Sequence, residues 1–205
     1  RVYLRGRGLD DKTIERFRLG YAPDTRGALR RTLMSKALSE TMLIEAGLLK
    51  QSDDGMPYDR FRGRITFPIT DRRGRVIAFG ARILDDGTPK YLNSPDTPLF
   101  SKGRVLYGMA TAQRAARDAG RVIVTEGYMD VIALAKAGII ETVAPLGTAL
   151  TESQMHELWR MTPEPLLCFD GDNAGQRAAW RAAERALPLL EPGRSLRFVI
   201  LPSGE

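Results

Sequence analysis

The chain has 205 residues, 43% of them hydrophobic and 27% charged, enough for one large domain or two small ones around apolar cores. No apolar stretch approaches a membrane span and the N-terminus is not a signal peptide, so we expect a cytoplasmic protein with no membrane partner. One cysteine and one histidine exclude an internal disulfide and a zinc site built from such ligands. The net charge of +6 indicates a polyanionic partner.

The positive charge is concentrated in the first half of the chain. Residues 1–109 contain 21 Lys and Arg against 13 Asp and Glu, whereas residues 110–205 contain 10 against 12. The predicted secondary structure also changes character near residue 110. We therefore predict two domains, 1–109 and 110–205, with the binding of an anionic partner mainly in the first.

Short helices and a β-hairpin are predicted for the first domain, which makes it α+β. The predicted helices cover 10–17, 26–36 and 39–46, and the polar residues 51–58 form a loop. The hairpin joins 64–69 to 75–79, and Pro68 favours an edge position or a bulge. Residues 89–95, which begin and end with proline, are predicted to be extended.

Helices and strands alternate from Ala110 onward. The predicted helices cover 110–119, 128–137, 151–161 and 174–190, and the predicted strands cover 121–125, 141–145, 165–169 and 195–200. Short connections between alternating elements predict an α/β domain with a parallel sheet flanked by helices. Thr151 and Gln154 form a plausible capping box, and Trp159 and Trp180 are interpreted as packing residues rather than base-stacking platforms.

Two acidic motifs each follow a buried strand of this sheet. They are Glu126-Gly-Tyr-Met-Asp130 and Asp170-Gly-Asp172. Each motif alone is also typical of a helix cap, but together they place four carboxylates, and no Lys or Arg, at the carboxyl edge where ligands bind. Hard cations such as Mg²⁺ relieve such repulsion, which predicts metal-dependent phosphate chemistry. Gly171 should permit a tight turn and Gly127 a similarly close approach.

An arginine-rich stretch precedes these motifs. Residues 60–75 contain six arginines and a single acid, Asp71. In isolation such a run is typical of a solvated hairpin face. Ahead of an anionic centre that must hold template and nucleotide phosphates, we interpret it as a phosphate-binding surface that includes Arg60 and Arg62.

The pair of acidic motifs resembles the toprim domain shared by primases, topoisomerases and certain nucleases. The motifs along the whole chain occur in the order of the bacterial DnaG-type DNA primases, and the resemblance identifies the RNA-polymerase core of that family, truncated. Those motifs are Tyr58-Asp-Arg-Phe-Arg62, Arg64-Ile-Thr-Phe-Pro-Ile69, Phe79-Gly-Ala-Arg82, Pro89-Lys-Tyr-Leu-Asn-Ser-Pro95, Leu106-Tyr-Gly108, Glu126-Gly-Tyr-Met-Asp-Val131, Leu146-Gly-Thr148 and Cys168-Phe-Asp-Gly-Asp172.

The resemblance implies a set of site residues. Metal binding falls to Glu126, Asp130, Asp170 and Asp172, of which Glu126, Asp170 and Asp172 are also expected to be catalytic. Residues matching a basic surface beside the metal cluster are Arg7, Arg82, Lys90 and Lys102. Tyr91 and Asn93 lie in the same segment and are expected to contact template or nucleotide, although a core position for Tyr91 is equally consistent with the sequence.

The implied activity is synthesis of short RNA primers on a single-stranded DNA template from ribonucleoside triphosphates. The resemblance implies Mg²⁺, with Mn²⁺ as a substitute, and no zinc in this fragment. The family's zinc module, its helicase-binding C-terminal domain and an acidic run expected after Glu205 lie outside these residues. Two alternatives stay open: a toprim topoisomerase or nuclease, for which Tyr128 beside the cluster is the tyrosine to consider, and a non-catalytic DNA-binding module.

Overall fold

The computed structural model describes residues 1–52, 55–85, 87–147 and 149–202. The chain forms two compact units, the first made of residues 1–69 and 76–101 and the second of residues 70–75 and 102–205. The functional boundary after residue 109 stays a prediction. In the described part of the chain, no helix has both the length and the apolar character that a membrane crossing requires.

The first unit contains four short helices. They are α1 (Val2–Gly6), α2 (Asp11–Arg16), α3 (Ala28–Met34) and α4 (Glu40–Glu45). Asp10 and Ser39 accept hydrogen bonds from the backbone N–H groups of Thr13 and Met42 and so cap α2 and α4. The three predicted helices are confirmed, and α1 is an additional one.

The strands of the first unit form an antiparallel sheet in the order β1-β4-β5-β6 and a separate pair, β2 with β3. They are β1 (Gly20–Ala22), β2 (Leu49–Lys50), β3 (Tyr58–Asp59), β4 (Arg64–Thr70), β5 (Val76–Ile83) and β6 (Tyr91–Asn93). The predicted hairpin is confirmed as β4 and β5. Pro68 lies beyond residues 64–66, the part of β4 that pairs with β1, which agrees with an edge position. The alternate residues Ile65, Phe67 and Ile69 are buried.

The second unit has the predicted alternation of helices and parallel strands, in the sheet order β10-β9-β7-β8. The helices are α5 (Met109–Ala119), α6 (Tyr128–Lys136), α7 (Glu152–Trp159) and α8 (Asn173–Ala186), and a 3₁₀ turn (Leu187–Leu189) follows α8. The strands are β7 (Ile123–Val124), β8 (Thr142–Val143), β9 (Leu166–Phe169) and β10 (Arg197–Ile200). The predicted α/β fold is confirmed, with shorter strands than expected.

Small residues on one face of α8 bury that helix in the core of the second unit. The buried positions are Gly175, Ala179, Ala182 and Ala186, spaced three or four residues apart. Trp159 on α7 is buried, as predicted, and its Nε1 donates to the Ser195 carbonyl at 2.9 Å. Trp180 lies off the small-residue face and is 72% exposed, so its predicted packing role is wrong.

A buried carboxylate from β3 caps α3 across 30 residues of sequence. Asp59 is 2% exposed, and its two oxygens accept from the backbone N–H groups of Leu29 and Arg30, both at 3.0 Å. The N-cap position of α3 is Gly27, which has no side chain to accept these bonds. Asp59 therefore satisfies donors that helix geometry leaves unpaired.

We expect Asp59→Ala to lower the free energy of unfolding by about 1–3 kcal/mol, because it leaves two backbone donors buried without acceptors. Asp10→Ala, which removes the exposed cap of α2, is the matched control and should cost roughly 1 kcal/mol. Urea denaturation followed by circular dichroism measures both. A stability of Asp59→Ala equal to that of the unmodified protein would show that water replaces the carboxylate.

Candidate catalytic and nucleic-acid-binding sites

The two acidic motifs meet at the carboxyl edge of the parallel sheet. β7 and β9 are neighbouring strands, in which Ile123 is paired with Leu166 and Val124 with Leu167. Each strand is followed by its acidic motif and then by a helix, α6 or α8. The Oε1 atom of Glu126 accepts a hydrogen bond from the backbone N–H of Asp170 at 2.9 Å. The structure thus joins two segments that are 44 residues apart.

Backbone N–H groups also orient two further carboxylates of the cluster. Asp130 Oδ2 accepts from Gly127 N at 2.9 Å at the start of α6. Asp172 Oδ1 accepts from Ala174 N and Gly175 N, both at 2.8 Å, and is the N-cap of α8. The helix-cap interpretation of Asp172 is therefore correct, and it does not compete with a site role because the cap fixes the carboxylate at the sheet edge.

The cluster is electrostatically unfavourable without a cation. Partial burial raises the pKa of Glu126 above its usual range, and the negative charges of Asp170, Asp172 and Asp130 raise it further against the lowering effect of the Asp170 N–H bond. Burial, and then the neighbouring carboxylates, likewise raise the pKa of the Cys168 thiol. Cys168 is thus kept protonated beside the cluster, which agrees with an unreactive cysteine.

The donor chemistry of this cluster fits a hard divalent cation. All four side chains offer carboxylate oxygens, and the charges that act on Glu126 are negative. Among residues 1–52, 55–85, 87–147 and 149–202, no three His, Cys, Asp or Glu side chains lie close enough together to form a metal site. Metal ligation by Glu126, Asp130, Asp170 and Asp172 therefore stays a prediction.

The two glycines of the motifs differ in what surrounds them. A Cβ on Gly171 would overlap the carbonyl oxygens of Leu201 and Pro202, so the backbone that follows β10 requires a glycine in the acidic turn. A Cβ on Gly127 would lie 3.6 Å from Asp130 Oδ2, which is an ordinary contact, and its φ of −150° is extended. The predicted close approach at Gly127 is wrong.

Tyr128, the tyrosine nearest the cluster in sequence, is a core residue. It is 5% exposed, and its ring meets that of Tyr107 edge to face with centroids 4.8 Å apart. A tyrosine that attacks a phosphodiester must present its hydroxyl to the substrate. The packing of Tyr128 argues against that role.

In the first unit, Arg82 lies between two tyrosine rings. Its guanidinium carbon is 5.4 Å from the ring centroid of Tyr3 and 5.4 Å from that of Tyr91, and its Nη1 donates to the Tyr91 hydroxyl at 3.2 Å. Tyr91 is 41% exposed, so the core alternative for this residue is wrong. Lys90, next to it, is exposed.

Most arginines of the 60–75 stretch are bound within the protein. Both Nε and Nη2 of Arg60 donate to the Asn93 carbonyl, at 3.0 and 2.8 Å. Further pairs are Arg62 over the Tyr58 ring, Arg64 with the Pro89 carbonyl, Arg72 with Glu157 and Arg75 with Asp71. The charge run therefore has many partners within the protein, and its role as a phosphate-binding surface stays a prediction.

Lys102 lies in a turn of the second unit that α7 holds in place. The fully buried Gln154 donates from its amide nitrogen to the carbonyls of Lys102 and Val105, at 3.1 and 2.9 Å. Its Oε1 accepts from Thr151 N, which confirms the predicted capping box. Sequence reasoning found the cap and missed the clamp, because the partner turn is about 50 residues away. Arg7, in the other unit, is exposed just after α1.

Comparison with known proteins gives matches over the whole chain. The family described as "DNA primase catalytic core, N-terminal domain" matches residues 1–113, and the "Toprim domain" family matches residues 120–200. The DNA primase of Pseudomonas aeruginosa is 52% identical over 204 residues, which are 99% of this chain and 31% of that protein. The chain thus spans about a third of that relative's length.

Solved structures agree with this match. A crystal structure of a DNA primase domain from Pseudomonas aeruginosa aligns with a TM-score of 0.91 at 51% identity, over 99% of this chain and 64% of that one. A DnaG primase catalytic domain bound to single-stranded DNA aligns with a TM-score of 0.87 at 49% identity, over 99% and 66%. In the family of the second half, toprim proteins, a divalent metal is generally used.

We expect Glu126→Gln to raise the melting temperature at neutral pH in the presence of a chelator. A folded-state pKa above the usual range means that the ionised glutamate destabilises the fold, so stability falls as pH rises from the ordinary glutamate pKa through the raised value. Gln retains the acceptor for Asp170 N–H. The gain should shrink as the pH falls below the ordinary glutamate pKa, where the carboxyl group is protonated in both states.

Differential scanning calorimetry from about pH 3, below the ordinary glutamate pKa, to about pH 8, well above it, measures this gain. Glu184→Gln, at an exposed position of α8, controls for the removal of one negative charge. A Glu126→Gln protein that melts below the unmodified one at neutral pH would show that the cluster is not under repulsion.

Gly171→Ala should displace the acidic turn, because its methyl group meets two backbone carbonyls that cannot rotate away. Gly127→Ala is the matched control and should retain the geometry. We expect Gly171→Ala alone to weaken Mn²⁺ binding in calorimetric titration, with the far-UV circular dichroism of both variants unchanged. Equal Mn²⁺ affinity for the two variants would show that residues 201–202 yield to the added methyl group.

Proposed function

Because this chain belongs to the family of bacterial DNA primases, we propose that it is the catalytic core of a template-directed RNA polymerase. It joins ribonucleoside triphosphates into short RNA primers on single-stranded DNA. The observation that supports this function most directly is the hydrogen bond from Asp170 N–H to Glu126 Oε1 at the edge of the parallel sheet, where the charges of Asp170, Asp172 and Asp130 all act on Glu126.

Mg²⁺ is the proposed cofactor, with Mn²⁺ as a substitute, and no zinc is required by these residues. Glu126, Asp130, Asp170 and Asp172 would hold the ion or ions. When bound, they supply positive charge that stabilises the attacking 3′-oxygen, the reacting phosphorus and the departing pyrophosphate. Burial, and then the charges of Asp170, Asp172 and Asp130, raise the pKa of Glu126, and a bound cation would offset the cost of ionising it.

Within the chain, we assign the proton transfer to Glu126. Its Oε1 is fixed by Asp170 N–H, and its raised pKa makes it a better proton acceptor for the attacking hydroxyl than an ordinary glutamate. Asp172 is oriented by the first turn of α8 and Asp130 by Gly127 N–H. This arrangement supports the catalytic roles that we propose for Glu126, Asp170 and Asp172.

In the first unit, Arg7, Arg62, Arg82, Lys90, Tyr91 and Asn93 are proposed to contact template or nucleotide. In the second unit, Lys102 is proposed as a separate phosphate contact. Arg82 and Tyr91 support each other by stacking, which leaves the tyrosine partly exposed to a base. The whole protein is proposed to act in the cytoplasm and to recruit the replicative helicase through a domain outside these residues.

Two other functions are less well supported. A toprim topoisomerase would need an accessible tyrosine, and the buried Tyr128 does not provide one. A nuclease or a non-catalytic DNA-binding module differs from a primase in its products, so activity assays separate them. The negative charges of Asp170, Asp172 and Asp130 that act on Glu126 favour an enzyme over a simple binding module, because carboxylates repel DNA.

Asp170→Asn and Asp172→Asn should each abolish primer synthesis from labelled ribonucleotides on single-stranded DNA and weaken Mn²⁺ binding. Asn keeps the cap acceptor at position 172, so the fold should be retained. Asp118→Asn on the exposed face of α5 is the control and should remain active.

The same preparations, tested for nicking and relaxation of a plasmid, distinguish the alternatives. Cleaved DNA with no primer would identify a toprim nuclease or topoisomerase. Neither primer nor cleavage, with DNA binding unaffected by Asp170→Asn, would identify a binding module.

A further inference from the structure

Two arginines of the first unit bind the two ends of the segment Pro89–Asn93. Arg64, on β4, donates from Nη1 to the Pro89 carbonyl at 2.8 Å. Arg60, which precedes β4, donates from Nε and Nη2 to the Asn93 carbonyl at 3.0 and 2.8 Å. Between these two anchored carbonyls lie Lys90 and Tyr91, both exposed.

The segment also pairs with one neighbouring strand, β5. β6 is an edge strand of only three residues, and Pro89 has no N–H to donate. Its backbone pairs with β5 through Gly80, Ala81 and Arg82, and Ile83 N donates to the Lys90 carbonyl at 3.0 Å. Short edge strands are the first parts of a sheet to open.

Burying these guanidinium groups is energetically costly. Arg64 is 6% exposed and Arg60 is half-buried. Burial lowers the pKa of both arginines, and it is the largest of the effects on each of them. Within the described residues, neither forms a salt bridge with a carboxylate; their hydrogen bonds go to backbone carbonyls. The charge of Asp85 offsets only part of the effect of burial on the pKa of Arg64. A buried charge without a salt bridge is uncommon where a neutral side chain would suffice.

We propose that Arg60 and Arg64 are positioning residues, which fix Pro89–Asn93 so that Lys90 and Tyr91 are presented to the phosphate backbone and bases of single-stranded nucleic acid. The proposal rests on the proposed function. It changes the role of Arg60 from phosphate contact to positioning. An arginine can bind a phosphate in a bidentate way through its Nε and Nη2 atoms, and in Arg60 both atoms donate to the Asn93 carbonyl. It adds Arg64, which is buried and reaches the ligand only through the segment.

Hydrogen exchange tests, without any nucleic acid, whether Arg60 and Arg64 hold Pro89–Asn93 in place. Arg60→Met and Arg64→Met should each accelerate exchange of the amides of residues 90–93 by about tenfold or more, with the rest of the unit unchanged. Arg31→Met is the matched control, because Arg31 is an exposed arginine that also donates to a backbone carbonyl, that of Arg26. Unchanged exchange at residues 90–93 in both variants would overturn the proposal.

Binding of a fluorescent oligo(dT) across a salt series then separates positioning from direct contact. Each phosphate contact contributes roughly −0.7 to the slope of log affinity against log salt concentration. If Arg60 acts through the segment, the single variant Arg60→Met should bind oligo(dT) more weakly than the unmodified protein. In a Lys90→Ala/Tyr91→Ala background, the same substitution should change the affinity by less than about twofold. A further flattening of about 0.7 in that background would identify a direct phosphate contact and overturn the proposal.

Conservative variants complete the test. Lys supplies the charge but not the fork of two donors, so Arg60→Lys should behave like Arg60→Met if positioning is correct and like the unmodified protein if Arg60 only supplies charge. Should Arg64→Met fail to fold, Arg64→Lys and the Arg60 variants decide by the same criteria. An unmodified protein that does not bind oligo(dT) would contradict the proposed function. The exchange measurement would still show whether Arg60 and Arg64 position Pro89–Asn93.

Discussion

The concentration of negative charge at the carboxyl edge of the parallel sheet is the constraint on which the second unit depends. Glu126 and Asp170 meet because β7 and β9 are neighbouring strands, and backbone N–H groups then hold the carboxylates against their mutual repulsion. Gly127, the N-cap of α6, supplies the donor to Asp130, and the first turn of α8 supplies the donors to Asp172. The glycines of the α8 region allow this approach, because a Cβ on Gly175 would overlap the Asp170 carbonyl. Ionisation of Glu126 opposes stability at this edge, because burial and the neighbouring carboxylates raise its pKa.

Arginine has a different use in the first unit from the one that its charge suggests. A count of basic residues predicts a surface for phosphates, and Arg7 and Lys90 are exposed as that prediction requires. Arg60 and Arg64 instead bind backbone carbonyls of a short edge strand, where several donors in a rigid plane are more useful than a single charge. Arg60 and Arg64 thus bind the segment that carries Lys90.

Much of this could be predicted from local pattern. The hairpin, the α/β alternation and the capping box at Thr151 depend on residues close in sequence, and all three are confirmed. The predictions that failed concern the surroundings of a side chain. Trp180 is predicted to pack, but the small residues Ala179 and Ala182 mark a different face of α8 as the buried one. The helical periodicity of the sequence already contains this signal. Gly127 has room for a side chain, which no local pattern reveals.

The amino-acid sequence by itself determined the family and the fold of each half, and it singled out the acidic residues Glu126, Asp130, Asp170 and Asp172. It contains this information because apolar periodicity, glycine spacing and acidic motifs are local properties. Only the tertiary structure decided which polar groups pair over long distances. The cap that Asp59 provides for α3, the clamp of Gln154 on the Lys102 turn and the bonds of Arg60 and Arg64 join residues 25 or more positions apart. Such pairs depend on how strands and helices pack, and the chemistry of a single side chain does not specify its distant partner.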